Sequence, residues 1–480
     1  MPFSPLTELS ITQANQMLLS KQISSVELTQ AYINKIESIE PKLRALISIV
    51  PELALNQAQL ADKQISKGLK NDLIGIPMVV KDNICTKGIK TTCASKMLED
   101  FVPPYNATVV DKLYNSGAVL IGKANLDEFA MGSSTENSSF HPTSNPRDYS
   151  RVPGGSSGGA AAAVAADECM FSIGSDTGGS IRQPASLCGT VGLKPTYGLV
   201  SRYGLVAFAS SLDQIGPLTK TVDDSAAVLS VISGHDDKDS TSIKHYDSYD
   251  VKSITEPTIK GLRVGIPKEY FVSGIEPAVN ESVQSAITLF EKLGAKIEEV
   301  SLPHTKYALS VYYIIAPSEA SANLARYDGV KYGYSADSPG TIWDALESTR
   351  GEGFGNEVKR RIMIGTYALS SGYYDAYYLK AQKVRTLISQ EFNEVFKSYD
   401  ILITPTSPTV AFKRGEKTSN PVEMYLSDVL TIPANIAGIP AISLPCGFDN
   451  GLPIGLQLMS APLNESLLLK VAKSYEIASS

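Results

Sequence analysis

Two runs rich in glycine and serine lie between residues 153 and 184. The first is residues 153–159, PGGSSGG, and the second is residues 173–184, IGSDTGGSIRQP. Because glycine has no Cβ, backbone N–H groups in such runs can approach a ligand closely, and the start of a helix adds a partial positive charge. The two runs therefore predict a site for an anion or for the oxyanion of a reaction intermediate.

We compared the two runs with the sequence patterns of known glycine-rich loops and nucleophile elbows. Neither run contains the G-x-x-x-x-G-K-[ST] of a phosphate-binding loop or a G-x-G-x-x-G directly after a strand. Residues 154–158 match the G-x-S-x-G of a nucleophile elbow, but the preceding residues, SRVP, are not an apolar strand. A histidine triad would also have to use His235, His245 or His304, which lie in polar sequence. The remaining interpretation is a serine nucleophile whose base is not histidine.

Lys81 is the candidate base, because it directly follows the apolar residues 76–80. Burial at the end of a strand lowers the pKa of a lysine by several units from ~10.4, and a neutral amine can accept a proton. A lysine at a strand end can instead extend its ammonium group into water. From the residues alone, both interpretations of Lys81 remain open.

Strand and helix patterns alternate around these residues. A capping box at residues 24–27 predicts a helix beginning near Ser25, and Asn464 is predicted to cap the last helix, residues 465–477. The alternation predicts an α/β fold, a β-sheet with helices on its faces. We expect one domain over residues 1–480, made of N-terminal helices (1–70), a core (71–232), a polar surface loop (235–257) and a second α/β half (258–480). The predicted strands are residues 45–50, 74–80, 118–121, 262–266, 295–300 and 401–403 and a hairpin of 441–446 with 454–459; further helices are predicted at 53–66, 108–115 and 278–293.

Composition excludes several classes of protein. The chain has 43 Lys and Arg against 50 Asp and Glu, a net charge of −7, so it is a poor nucleic-acid binder by itself. Four scattered histidines and five cysteines without C-x-x-C spacing predict no metal site and no disulfide framework. No apolar run approaches the ~18 residues of a membrane span, and the first residues are not a secretory signal, so we expect a cytoplasmic protein.

The sequence resembles the amidase signature family. The resemblance is carried by residues 154–159, GGSSGG, and residues 176–184, DTGGSIRQP, with Lys81 75 positions before Ser156 and Ser180 24 positions after it. It implies a large mixed β-sheet covered by helices on both faces. It also implies a Ser–Ser–Lys triad in which Ser180 is the nucleophile that forms the acyl ester, Ser156 the bridging serine and Lys81 the base.

The resemblance implies one further feature of the site, the cis peptide, and the residues of the loop themselves indicate two others. A cis peptide is expected before the bridging serine, at Gly155–Ser156. Arg182 and Asp176 are expected to support the loop, by pairing with each other or with the backbone, without taking part in the chemistry. The backbone N–H groups expected to hold the oxyanion are those of Thr177, Gly178, Gly179 and Ser180.

Nearly the whole chain resembles one branch of that family, the glutamine-hydrolysing subunits of tRNA-dependent amidotransferases. Residues 125–132, 210–218, 368–378 and 453–457 carry this resemblance. It implies a heterotrimer in which ammonia passes to a kinase-type B subunit, which activates the misacylated tRNA with ATP and Mg²⁺, while a small C subunit braces the assembly. The substrate of the complex would be Glu-tRNA(Gln) or Asp-tRNA(Asn), and the partner would bind most of the tRNA. No cofactor is expected in this chain.

By position in this branch, Arg360 is expected to bind the α-carboxylate of glutamine and Asp428 its α-ammonium group, with Tyr312 and Met131 in the pocket. The residues alone also fit a solvated helix face at 359–361 and a core position for Tyr312. Two other functions stay open from sequence. One is a stand-alone amidase with another amide substrate, and the other is a catalytically inactive scaffold subunit.

Overall fold

The computed structural model describes residues 5–244, 259–271, 274–337 and 340–479. Within these ranges, eleven strands form one mixed sheet. The strands are β1 (Leu46–Ile49), β2 (Pro77–Lys81), β3 (Val119–Ala124), β4 (Phe171–Asp176), β5 (Val191–Lys194), β6 (Gln214–Thr219), β7 (Arg263–Pro267), β8 (Lys296–Val300), β9 (Ile401–Pro405), β10 (Ala441–Asp449) and β11 (Leu452–Met459).

The order of the strands across the sheet is β1-β3-β2-β4-β6-β5-β10-β11-β9-β7-β8. Strand β2 runs parallel to both β3 and β4, and β7 runs parallel to β8 and β9. The other pairs are antiparallel, including the β10–β11 hairpin that the sequence predicted. The sheet is therefore mixed, and it contains strands from both halves of the chain.

Fifteen α-helices accompany the sheet in the described residues. They are α1 (Ile11–Leu19), α2 (Ser25–Leu43), α3 (Pro51–Ser66), α4 (Thr108–Asn115), α5 (Gly158–Ala165), α6 (Arg182–Cys188), α7 (Val222–Ile232), α8 (Pro277–Lys292), α9 (Ala308–Asn323), α10 (Ile342–Gly353), α11 (Asn356–Leu369), α12 (Lys380–Ser398), α13 (Pro421–Leu426), α14 (Ile432–Ala437) and α15 (Glu465–Ser479).

Local sequence explains where several of these elements begin. The Ser24 side chain accepts from the Glu27 amide while the Glu27 carboxylate accepts from the Ser24 amide, so α2 begins with the predicted capping box. Helix α4 has the predicted bounds, and the final helix begins directly after Asn464. The capping box, the bounds of α4 and the start of the last helix are confirmed.

The core around the site is built from strands whose residues are all buried. Every residue of β2 and β4 is buried, which is expected for parallel strands covered on both faces. Helix α5, GGAAAAVA, packs on β4, where the Ser172 hydroxyl donates to the Ala160 carbonyl oxygen at 2.9 Å. In the β2–β4 register Val80 faces Ile173, so Lys81 and residues 174–176 emerge at the same edge of the sheet.

The predicted polar loop, residues 235–257, is only partly described. Residues 235–244 are anchored: Asp236 accepts from Thr108 and Ser201, and Asp239 pairs with Arg202 at 2.8 Å. Residues 245–257, including His245, lie outside the described residues. Among the helices that are described, none is long and apolar enough to cross a membrane.

Candidate active site

Lys81 ends strand β2 and is completely buried. Its Nζ lies 2.8 Å from the Ser156 Oγ, 2.8 Å from the Ser157 Oγ and 3.0 Å from the Ser175 Oγ. The side chain therefore turns inward, and the alternative of a lysine extended into water is wrong. Burial lowers the pKa of Lys81 to about 7, with the Asp127 and Asp176 carboxylates opposing that shift.

Ser156 follows a cis peptide bond from Gly155, at the position that the family resemblance implied. Its carbonyl oxygen accepts from the Asp127 amide at 3.3 Å. A side chain at position 155 would collide with its neighbours, since a Cβ there would lie 2.1 Å from the Asp127 Oδ2. The glycine thus lets the backbone before Ser156 lie directly against Asp127, and α5 begins two residues after Ser156.

Ser180 lies in the loop between β4 and α6 and is 7% exposed. Its carbonyl oxygen accepts from the Ser157 amide at 3.1 Å, which joins the two glycine- and serine-rich runs at their centres. The structure thus brings both predicted serines and Lys81 to one place. Ser180 keeps a small exposed fraction, whereas Ser156 and Lys81 are completely buried.

The oxyanion prediction needs one correction. The Gly179 amide donates to the Asp176 Oδ1 at 2.8 Å, and the Ile181 amide donates to the Oδ2 of the same carboxylate at 3.2 Å. An N–H group bound to a buried carboxylate is not available to a substrate oxygen. The candidate donors for the oxyanion are therefore the amides of Thr177, Gly178 and Ser180.

Arg182 and Asp176 form the predicted support of the loop. Both side chains are completely buried, and they pair at 3.0 and 3.1 Å. Arg182 also donates to the Thr431 carbonyl oxygen and, at 2.6 Å, to the Gln457 side chain. Burial raises the pKa of Asp176, but the Arg182 guanidinium outweighs it and lowers this pKa to about 2. The carboxylate therefore stays charged and accepts the hydrogen bonds of the Gly179 and Ile181 amides.

Tyr312 and Met131 lie close to this loop. A Cβ at Gly178 would be 2.8 Å from the Tyr312 ring, so the ring covers the glycine at van der Waals distance. Burial raises the pKa of Tyr312 well above its ordinary value, which keeps the phenol neutral. Met131 is buried in the same apolar cluster as Tyr312, and its carbonyl oxygen accepts from the Asn137 side chain at 3.3 Å.

Asp428 is buried next to the loop that follows Met131. Its Oδ2 accepts a hydrogen bond from the Ser133 hydroxyl, while its Oδ1 has no hydrogen-bond partner among the described residues. Burial raises the pKa of Asp428 to about 7, against the effects of Ser133 and Arg361. An entering cation would supply the partner that Oδ1 lacks and would keep the carboxylate charged.

Arg360 lies on α11, and its side chain is 42% exposed. It borders a cavity of about 210 Å³ whose other charged walls are Glu136, Glu357, Arg361 and Lys417. The cavity differs from a plain solvated helix face, because it is concave and carries both signs of charge. In this structure Arg360 pairs with Glu357, whereas Asp428 pairs with Ser133.

Sequence reasoning missed several residues of the site. The hydroxyls of Ser157 and Ser175 contact Lys81. The Asp127 carboxylate accepts hydrogen bonds from the amides of Thr135 and Asn137. The Glu357 carboxylate accepts a hydrogen bond from Arg360. Ser157 and Ser175 lie inside the two runs that the sequence singled out, so their position was a usable signal. Glu357 lies three and four residues before Arg360 and Arg361, which is the spacing of helical ion pairs, whereas its contact with Tyr425 could not be read from the sequence.

With the site described, the comparisons with known proteins identify its class. The sequence profile of the Amidase family matches residues 27–469, and the chain belongs to that family. Similar proteins include the A subunit of the glutamyl-tRNA(Gln) amidotransferase of Dehalococcoides mccartyi (strain CBDB1), 59% identical over 98% of this chain and 97% of that protein. The same-named protein of Caldanaerobacter subterraneus is also 59% identical, with the same coverage.

Solved structures agree with the family assignment. The A subunit of the glutamyl-tRNA(Gln) amidotransferase of Thermotoga maritima is 46% identical, with a TM-score of 0.82 over 99% of this chain and 96% of that one. The peptide amidase of Stenotrophomonas maltophilia is 30% identical, with a TM-score of 0.82 over 99% and 98%. The mixed α/β fold of this chain is therefore the fold of amidase signature enzymes.

Proposed function

We propose that this chain is the glutamine-hydrolysing subunit of a cytoplasmic amidotransferase that converts misacylated Glu-tRNA(Gln) to Gln-tRNA(Gln). The observation that carries the proposal is the near full-length identity of 59% to the A subunits of glutamyl-tRNA(Gln) amidotransferases, combined with a buried Lys81 in contact with Ser156. The relatives' name refers to a subunit, which supports an assembly with other chains. The B and C subunits of a heterotrimer, and a role on Asp-tRNA(Asn), belong to the same proposal.

The proposed chemistry is supported by the contact of Lys81 with Ser156. The Ser180 hydroxyl attacks the side-chain amide carbon of glutamine, and its proton passes through the Ser156 hydroxyl to neutral Lys81. The amides of Thr177, Gly178 and Ser180 would donate to the oxygen that gains negative charge. Removing one such donor in studied enzymes costs about 3–4 kcal/mol of transition-state stabilisation.

The intermediate then collapses with the proton moving back. Lys81 returns its proton through Ser156 to the amide nitrogen, the C–N bond breaks, and ammonia leaves a glutamyl ester on Ser180. Water attacks the ester by the same route and releases glutamate. Since one lysine acts first as base and then as acid, its pKa of about 7 suits both directions at neutral pH.

Glutamine would be held by its α-carboxylate and α-ammonium groups. Arg360 offers a guanidinium beside an open cavity, and Asp428 offers a buried carboxylate oxygen without a partner among the described residues. Tyr312 and Met131 would form the wall beside the reacting carbon. ATP and Mg²⁺ are expected on the partner subunit, because neither glycine-rich run has the pattern of a nucleotide-binding loop.

The test is to purify the chain from its source together with its bound subunits and to assay glutamine-dependent conversion of Glu-tRNA(Gln). The proposal predicts glutamate release and Gln-tRNA formation that both stop in Ser180→Ala. A complex that converts the tRNA only with added ammonium salts would show an inactive scaffold subunit. A lone chain that cleaves other amides but not glutamine would show a stand-alone amidase.

A further inference from the structure

Glu357, in the first turn of α11, has three hydrogen-bond donors on a single carboxylate. Arg360 donates to its Oε2, and its Oε1 accepts from the Arg361 Nε at 2.7 Å and from the Tyr425 hydroxyl at 2.8 Å. The side chain is only 10% exposed. A carboxylate with this many charge-assisted partners is fixed in orientation.

Two of the three donors are anchored in the core. The Arg361 side chain is 3% exposed, and its guanidinium carbon lies 5.2 Å from the centre of the Tyr313 ring and 5.4 Å from that of Tyr425. The Tyr425 ring stacks on Tyr313 with centroids 3.9 Å apart. Arg361 and Tyr425 therefore hold Glu357 at a defined place, and Glu357 holds α11 against α13.

Arg360 is the third donor, and it is not anchored in this way. Its side chain is 42% exposed at the edge of the cavity, and Glu357 accepts from one of its terminal nitrogens. A guanidinium has five N–H groups in a planar fork. Contact with Glu357 through one nitrogen therefore leaves other N–H groups to bind a carboxylate in the cavity.

Tyr425 extends the same network towards Asp428. The Asp428 amide donates to the Tyr425 carbonyl oxygen at 3.3 Å, directly after α13. Glu357 thus joins the helix that carries Arg360 to the segment that carries Asp428.

We propose that Glu357 is a positioning residue for the amino-acid end of the substrate: it orients Arg360 towards the cavity and fixes its distance from Asp428. The inference rests on the proposed function, since it takes a free α-amino acid amide as the substrate. Glu357 does not touch the reacting atoms. Its loss is expected to weaken binding of the substrate without slowing the chemistry at Ser180.

The experiment measures glutamine hydrolysis by the purified complex carrying Glu357→Gln, Glu357→Asp or Tyr425→Phe. Glu394→Gln is the matched control, because it removes an i,i+3 ion pair of 2.7 Å from an exposed face of α12. We expect KM for glutamine to rise about tenfold or more in Glu357→Gln, with kcat within about threefold of wild type. Glu357→Asp, which keeps the charge, should recover part of the loss, and Tyr425→Phe should raise KM by a smaller factor.

A second readout separates positioning from folding. Phenylmethanesulfonyl fluoride modifies an active serine and has neither an α-carboxylate nor an α-ammonium group, so its rate with Ser180 should be unchanged in Glu357→Gln. An unchanged KM, or a parallel loss of labelling, kcat and Tm, overturns the inference. If Glu357→Gln does not fold, Tyr425→Phe decides by the same KM criterion. Wild-type complex that releases no glutamate overturns the proposed function, and the inference falls with it.

Discussion

Lys81 and Ser156 are 75 residues apart in the chain, and their side chains meet at 2.8 Å in a completely buried site. Two further hydroxyls complete the surroundings of the lysine. The Ser157 hydroxyl donates to the Ser175 carbonyl oxygen, and the Ser175 Oγ accepts from Asn83. A neutral amine has two N–H groups and one lone pair. If the Ser157 and Ser175 hydroxyls accept hydrogen bonds from the two N–H groups, the lone pair is free to accept the proton of the Ser156 hydroxyl.

Replacing the base should abolish the activity. In Lys81→Met, which keeps an unbranched side chain of similar length, kcat for glutamine hydrolysis is expected to fall on the order of 10³-fold or more, because no other base contacts Ser156 among the described residues. Steady-state kinetics and Tm measured together will check this. A folded variant that keeps more than a tenth of the wild-type kcat would exclude Lys81 as the base.

The pH dependence follows from the state of the same lysine. Burial lowers the pKa of Lys81 to about 7, and only the neutral amine can accept the Ser180 proton. In the substrate complex the bound ammonium group keeps Asp428 charged, so we expect kcat to be constant above that pH and to fall about tenfold for each pH unit below it. The measurement is a pH profile of kcat from pH 5 to 9. A profile that stays level down to pH 5 would contradict a lysine base with this pKa.

Ser175 should matter to the rate although it is outside the triad. Ser175→Ala removes one of the acceptors that orient Lys81, so we expect kcat to fall about 10-fold to 100-fold with little change in KM. Ser172→Ala on the same strand is the control, because the Ser172 hydroxyl donates to the Ala160 carbonyl oxygen away from Lys81. Equal rates in the two variants would show that Ser175 does not orient the base.

Gly178 should tolerate no side chain. A Cβ at this position would lie 2.8 Å from the Tyr312 ring, so Gly178→Ala must move either the ring or the loop that carries the oxyanion donors. We expect kcat/KM to fall at least about tenfold. Gly351→Ala is the control, since a Cβ there has no neighbour within 4 Å and should leave activity unchanged within twofold. A normal rate in Gly178→Ala would place the oxyanion site elsewhere.

Local sequence predicted the elements better than their arrangement. The capping box at Ser24, the apolar run before Lys81 and the β10–β11 hairpin depend on nearby residues, and their elements form where expected. The order of the strands depends on contacts between distant segments. Strand β5, for example, lies between β6 and β10, a position that no local pattern determines.

The same distinction applies to the site. The glycine- and serine-rich runs and Lys81 were visible because unusual composition stands beside apolar strands. The Gly179 amide was assigned to the oxyanion because the sequence does not show which N–H groups the Asp176 carboxylate takes. The spacing of Glu357 and Arg361 on one helix was visible, but the contact of Glu357 with Tyr425, 68 residues away, forms only in the folded protein.

The central claim is that Ser180 carries the acyl group and that Lys81, through Ser156, moves its proton. The most direct test is acid-quench mass spectrometry of the complex during glutamine turnover, followed by peptide mapping. We predict a glutamyl ester on Ser180 in the wild type, no adduct in Ser180→Ala, and a strongly reduced rate of its formation in Lys81→Met. An adduct that persists in Ser180→Ala, or that maps to another residue, would contradict the account.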